Sequence, residues 1–140
     1  DNLRKFLALP YVMIGSDSSA RSTYGLTRNG KPHPRGFGTF PRFIGRYARD
    51  YGLMSISSAV HKATMLPAET FRIKDRGRIK DGFFADIVIF DEESIIDRAT
   101  FDEPFLRPEG VEYLIVNGMP VVWQGSFTGH TPGRVLRHGG

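Results

Sequence analysis

The charged run Arg72-Ile73-Lys74-Asp75-Arg76, closed by Gly77, separates two stretches whose apolar residues recur with different periods. Before it, Phe40, Phe43, Ile44, Tyr47, Ala48 and Tyr51 repeat at the i, i+3, i+4, i+7 spacing that lines one face of a helix. After it, apolar residues come in short runs broken by glycine, proline and acidic clusters, the pattern of short strands. Helical and strand periods place side chains on different faces, so neither stretch can take the other's structure without exposing its apolar side chains. The fold class read from this is α/β plus β, with residues 1–72 mainly helical and residues 73–140 β-rich.

Within the first stretch, Leu3, Phe6 and Leu7 share one face of a short opening helix. Tyr11, Val12, Met13 and Ile14 read as a buried strand that ends in the small-residue turn Gly15-Ser16-Asp17. Thr39-Phe40-Pro41 supplies a capping hydroxyl and an early proline, which predicts that the aromatic helix starts there and stops at Gly52. A second helix is predicted from Ser55, with Ile56, Ala59, Val60 and Ala63 inward, and Pro67 opens a short third turn through Phe71. In the second stretch, residues 83–90 are a predicted strand. Residues 111–116, Asn117-Gly118 and residues 119–124 are a predicted hairpin, because Asn-Gly suits the positive φ angles of a type I′ turn. Residues 91–110 read as an irregular excursion with one helical turn at 94–97.

Composition narrows the function classes. The net charge is +4 and the isoelectric point near 9.6, yet the basic residues spread from Arg4 to Arg137 and interleave with acids, whereas a nucleic-acid footprint concentrates them on one face. Nucleic acid is therefore not an expected partner, although Arg42, Arg46 and Arg49 fall on roughly one helix flank, and Arg21, Arg28 and Lys31 are read first as solvated loop residues. Cysteine is absent, which removes disulfides and thiolate chemistry from these residues and leans toward a cytoplasmic location. No apolar run approaches the roughly 20 residues of a membrane helix, so no membrane role is expected, and no secretory leader is visible.

A single carboxylate at the end of a strand, Asp17, is a candidate catalytic group, although the same residue also serves as an ordinary turn cap. Downstream lies a polar loop, residues 18–39, carrying Arg21, Arg28, Lys31 and His33-Pro34-Arg35. Zinc requires three or four N, O or S ligands, and the four histidines, His33, His61, His130 and His138, have no close paired spacing. His61 is expected in a helix-packing role, and His130 and His138 in a solvated tail.

Taken in order, Gly15-Ser16-Asp17, the cationic loop, His33-Pro34-Arg35, Gly38-Thr39-Phe40-Pro41-Arg42 and the arginine-bearing aromatic helix resemble the end of the catalytic barrel of the N-acyl-D-amino-acid deacylases, a family of the amidohydrolase superfamily. The resemblance continues through Leu66-Pro67-Ala68-Glu69, Gly77-Arg78-Ile79-Lys80-Asp81-Gly82, Ala85-Asp86-Ile87-Val88-Ile89-Phe90-Asp91, Arg98-Ala99-Thr100-Phe101, Val116-Asn117-Gly118, and Thr128-Gly129 to Gly133-Arg134-Val135-Leu136.

The resemblance implies the C-terminal part of a metal-dependent-hydrolase TIM barrel. Residues 1–72 would give the last strand, helices and active-site loop, and residues 73–140 part of a small β-sandwich domain. A whole barrel takes about 250 residues, so an upstream barrel segment is expected, and with it a possible homo-oligomer. The implied reaction is zinc-dependent hydrolysis of N-acyl-D-amino acids to a carboxylate and a D-amino acid, with the isolated chain inactive. Asp17 would move the proton and is a candidate metal ligand, the other ligands lying upstream. Arg35, with Ser16 and His33, would bind the substrate, Arg35 taking its α-carboxylate. Ser18 stands where many relatives carry Gly, and the 18–32 stretch exceeds that of the shortest relatives, which leaves acyl and amino-acid preference open. Two other readings remain: a cyclic-amide hydrolase of the dihydroorotase or hydantoinase type, and a non-catalytic α+β binding module.

Overall fold

The computed structural model describes residues 2–137; His138 lies outside them. Helix α1 (Asn2–Ala8) is followed by an irregular segment and the long polar loop, then by α2 (Arg35–Arg42), which runs directly into a π-helical segment, π1 (Phe43–Asp50). Helices α3 (Ile56–Ala63) and α4 (Met65–Thr70) complete the helical part. Four strands then form one antiparallel sheet in the order β1 (Ile87–Phe90), β2 (Val111–Val116), β3 (Met119–Trp123), β4 (Ser126–Phe127).

The middle of the aromatic stripe packs as its spacing predicts, while Phe40 and Tyr51 at its ends stay exposed. Phe43, Ile44 and Ala48 are buried, and Phe43 and Ala48 form a core with Leu7 of α1 and Ala59 of α3, against which Ile14, Tyr47, Leu53, Met54 and Ile56 pack. Gly52 ends the helix with φ +60°, a conformation glycine adopts without steric cost. Ser55 caps α3, its hydroxyl accepting from the Ser58 amide at 3.1 Å.

The helix start differs from expectation. It lies at Arg35 rather than Thr39, because the Thr39 hydroxyl donates to the Arg35 carbonyl at 2.9 Å from inside the first turns, leaving no cap at residue 39. Pro41 therefore lies within α2. Helix α4 begins at Met65, which puts Pro67 in its first turn, where a missing N–H costs nothing.

Residues 11–14 are not a buried strand: Tyr11 lies in a turn and residues 12–14 have no regular structure. Tyr11 is 69% exposed, and among the described residues the segment has no sheet neighbour. The Ile14 amide donates to the Lys62 carbonyl at 3.4 Å, a lone tie to α3. A parallel strand is stabilised by neighbours on both sides, and the one sheet described here is antiparallel and lies elsewhere.

The β-rich part holds the predicted hairpin: Asn117 and Gly118 have φ +50° and +80°, both positive as a type I′ turn demands, and join β2 to β3. Strand β1 covers only the last four residues of the expected 83–90 run. Before it the chain turns, the Phe83 amide donating to Lys80 and the Asp86 amide to Phe84. The expected helical turn at 94–97 sits earlier, at 91–95. There the Ile95 amide donates to the Asp91 carbonyl at 3.0 Å, and the Asp91 carboxylate accepts from the Glu93 amide at 3.1 Å and the Ser94 hydroxyl.

Two arginines bind the 91–110 excursion to the helices. Arg49 donates to the carbonyls of Glu92, Glu93 and Ile95 at 2.8 to 3.0 Å, and Arg42 contacts the Asp97 carboxylate at 2.7 and 2.8 Å. Gly45 is required at this seam, since a Cβ there would overlap the Ile95 carbonyl oxygen. Arg76 reaches both the Asp86 carboxylate and the Asn117 side chain, joining the 72–86 connector to the hairpin turn.

Candidate functional site

Asp17 sits where this irregular segment kinks into the long loop. Its φ of +48° is a left-handed backbone value that aspartate tolerates better than most residues, and such strain is characteristic of functional positions. The kink turns the carboxylate into solvent, with 90% of the side chain exposed. One carboxylate oxygen meets the Arg35 guanidinium at 3.0 Å, so a loop of 17 intervening residues closes on these two charges.

Arg35 is the first residue of α2, and its position there is set by His33. The His33 Nδ1 accepts from the Arg35 amide at 3.0 Å, one of the orphan N–H groups of the helix start. With Nδ1 as acceptor, the neutral ring carries its proton on Nε2. Of the four residues proposed from sequence, Asp17, His33 and Arg35 are thus brought together. Ser16 precedes Asp17, half-buried, and among the described residues no hydrogen bond ties it to the other three.

Beside this trio lies a cleft of about 280 Å³ lined by His33, Arg35, Thr39, Arg42, Asp97 and Phe101. Asp97 and Phe101 come from the β-rich part. The His33 ring meets Phe101 edge-on with centroids 4.9 Å apart, and the Asp97 side chain, 6% exposed, closes the cleft floor through Arg42. A larger gap of about 410 Å³ opens between α2, π1 and α3 on one side and the sheet on the other, walled by residues such as Phe37, Ile44, Val60, Val88 and Leu114. Its apolar lining lacks the converging charged groups that reaction chemistry needs.

Lys62 supports the site from behind. It is 5% exposed, and its ammonium donates to the carbonyls of Leu7, at 2.6 Å, and Leu9. Its own carbonyl accepts from Ile14, three residues before Asp17. Burial lowers the pKa of this ammonium below the ordinary lysine value. Sequence reading missed Lys62, Asp97 and Phe101. A lysine next to His61 on an amphipathic helix gives no sign of burial, and the pairing of Arg42 with Asp97 spans 55 positions.

The described residues contain no group of three or more His, Cys, Asp or Glu side chains able to hold a metal. Asp17 would offer one carboxylate and belongs to no such group, so the described residues do not make a zinc site by themselves. His33 is exposed but commits its Nδ1 to the Arg35 amide, His61 is half-buried on α3, and the His130 ring nitrogen sits 3.0 Å from the Pro120 carbonyl in the sheet. Nor is any helix among the described residues long and apolar enough to cross a membrane.

Residues 13–122 match the model of the amidohydrolase family. The chain is 44% identical over 135 residues, 96% of its length, to a D-aminoacylase of Alcaligenes xylosoxydans xylosoxydans, and 42% identical over 98% of its length to an N-acyl-D-glutamate deacylase of the same organism. It spans about a quarter of the length of each of these curated relatives, 26%. Among solved structures, an N-acyl-D-glutamate deacylase from Bordetella bronchiseptica, complexed with zinc and a phosphonate inhibitor, superposes on 86% of this chain and 24% of its own, with a TM-score of 0.77 at 40% identity. Match length, identity and shared fold agree: the chain belongs to the amidohydrolase family, and within it to the D-aminoacylase group.

Proposed function

We propose that this chain is the C-terminal portion of a zinc-dependent hydrolase that cleaves N-acyl-D-amino acids into a carboxylate and a free D-amino acid. Residues 1–72 would end its barrel and residues 73–140 belong to its small β domain. The observation that carries the proposal is the Asp17–Arg35 pair: a carboxylate held open to solvent on a strained turn, 3.0 Å from a guanidinium at a helix start.

The two groups divide the work by charge. Arg35 keeps donors free beyond the one facing Asp17, and its planar fork suits the substrate's α-carboxylate. Asp17 keeps its second oxygen for proton transfer. Water adds its oxygen to the acyl carbon, Asp17 takes the released proton and returns it to the departing nitrogen, and the C–N bond breaks. Zinc supplies a polarised, acidified water when bound in the whole protein. Asp17 is its one candidate ligand here and the others would lie upstream, so the 140 residues alone are expected to be inactive.

The test uses the whole protein loaded with zinc and N-acetyl-D-methionine, N-acetyl-D-glutamate, N-acetyl-D-aspartate and their L isomers, with amine release as the readout. Release from at least one D substrate, lost on chelation and restored by zinc, supports the proposal. No release from any of them, with zinc bound, overturns it. Parallel Arg35→Lys and Arg28→Lys variants locate the carboxylate-binding cation. A raised KM in the Arg28 variant alone would move that role to Arg28 on the same loop, whose guanidinium lies 5.2 Å over the ring of Phe105 from the β-rich part.

A further inference from the structure

Phe101 belongs to the β-rich part, 66 positions beyond Arg35, and 69% of it is exposed. Its ring nevertheless abuts His33, the side chain that accepts from the first amide of α2. The contacts run in series: Phe101 meets the His33 ring edge-on at 4.9 Å, His33 Nδ1 accepts from the Arg35 amide at 3.0 Å, and the Arg35 guanidinium meets Asp17 at 3.0 Å. An imidazole between two prolines on a solvent-facing loop has a free χ2 torsion, and only one ring orientation presents Nδ1 to the Arg35 amide. Phe101 restricts that torsion.

The same arm holds the loop at further points. Phe105 packs edge-on against Phe37 at 5.7 Å, Lys31 lies 3.9 Å from Asp102, and Asp97 takes Arg42 on the next turns of α2. The arm is itself fixed, since Asp97 is nearly buried and Ile96 bridges Glu109. The loop is therefore seated on a rigid piece of the β-rich part, and His33 is the member of the seat that touches the helix start directly.

We infer that Phe101 and His33 are positioning residues: the β-rich part, through the Phe101 ring and the His33 imidazole, sets where Arg35 is held relative to Asp17. In this role neither residue needs to touch the reacting atoms, which sets it apart from the direct substrate contact expected of His33 from the resemblance. The inference rests on the reading of Arg35 and Asp17 as a substrate-binding and proton-transfer pair, and it adds the source of their alignment.

The experiment uses the whole zinc-loaded protein and the variants Phe101→Ala, His33→Ala, His33→Asn and the Phe101→Ala/His33→Ala double variant. Asparagine keeps an acceptor that reaches the amide two residues on, as in an Asx turn, so His33→Asn is the conservative rescue. Phe101→Ala and His33→Ala are each expected to raise KM for the preferred N-acyl-D-amino acid at least five-fold with kcat within three-fold, and His33→Asn to recover most of the loss. Because the two act in series, adding Phe101→Ala to His33→Ala should change KM less than two-fold.

A second readout needs no activity. Trypsin cleavage after Arg35, in the first turn of α2, should accelerate at least three-fold in Phe101→Ala and His33→Ala relative to cleavage after Arg21 in the open loop. A double variant showing the full product of the single effects, or His33→Asn behaving as His33→Ala in both assays, would overturn the inference. If no variant and no wild-type protein releases amine, the functional reading fails, while the tryptic comparison still decides whether Phe101 and His33 hold Arg35.

Discussion

The 111–123 hairpin and the 11–17 segment are both short runs of apolar residues ending in a tight turn, yet one forms paired strands and the other a single unpaired length of chain. The hairpin carries its partner within a few residues, and Asn117-Gly118 selects the register, so its structure follows from local chemistry. Residues 11–14 bond only through the Val12 amide to the Leu9 carbonyl and the Ile14 amide to the Lys62 carbonyl, and among the described residues no strand lies beside them. What a segment folds against, rather than its own pattern, decides whether a strand forms. The segment built on distant contacts is also the one that presents the candidate chemistry.

The widest separation between the two should appear at Asp17. In the whole protein, Asp17→Asn removes a proton carrier while keeping side-chain size, and general acid–base groups contribute about 10² to 10⁴ in rate. Turnover of the preferred N-acyl-D-amino acid is expected to fall by that factor. The melting temperature should hold, because the side chain is 90% exposed and a surface ion pair is worth no more than about 1 kcal/mol. Steady-state kinetics beside calorimetry checks both. A variant retaining more than a tenth of wild-type kcat would remove Asp17 from the chemistry.

The same contrast explains how much was legible in the sequence. Elements set by local signals were found where expected: the helix stop at Gly52, the Ser55 cap and the Asn117-Gly118 turn all lie where the residues placed them. The start of α2 was placed four residues late, because Thr39 looks like a cap in sequence while the working acceptor is the His33 imidazole, an unusual one. Of the site, Asp17, His33 and Arg35 were recognisable from motif order, and the structure brings them together. Asp97, Phe101 and Lys62 act across distances of 53 to 68 positions, counting Lys62 to Leu9, Asp97 to Arg42 and Phe101 to His33, and no periodicity encodes such pairings.

Two substitutions should sharpen the view that distant contacts, not propensity, hold the helical part together. Lys62→Met keeps the stem and deletes the ammonium, which relieves the cost of a buried charge but strands the Leu7 and Leu9 carbonyls. Hydrogen bonds to charged groups contribute about 1.5 to 3 kcal/mol each, so a net loss of about 1 to 3 kcal/mol is expected in denaturant unfolding of the whole protein. The pH dependence has a defined sign. Burial lowers the folded-state pKa of Lys62, so the unfolded chain binds the proton more readily, and wild-type stability should climb as pH rises from the lowered value toward the ordinary lysine range. Lys62→Met should lose that alkaline slope. Gly45→Ala, which forces a Cβ onto the Ile95 carbonyl, should cost about 1 to 3 kcal/mol by overpacking. An unchanged midpoint there would mean that the seam between π1 and the excursion is not closed in solution.

The smallest effect belongs to the hairpin. Gly118 has φ +80°, and a Cβ added there would meet no atom within 4 Å, so Gly118→Ala tests backbone conformation with no packing change. A left-handed alanine costs roughly 1 to 2 kcal/mol, and part of that is returned because alanine also restricts the unfolded chain. The expected loss is about 1 kcal/mol, below that of Gly45→Ala, although Gly118 has a positive φ and Gly45, inside the π-helical segment, does not. Ranking the two by chemical denaturation separates strain confined to a turn from strain set by a residue 50 positions away. If Gly118→Ala proved the more damaging, local turn chemistry would govern the stability of the whole chain, and the distinction drawn between the hairpin and the Asp17 segment would fall.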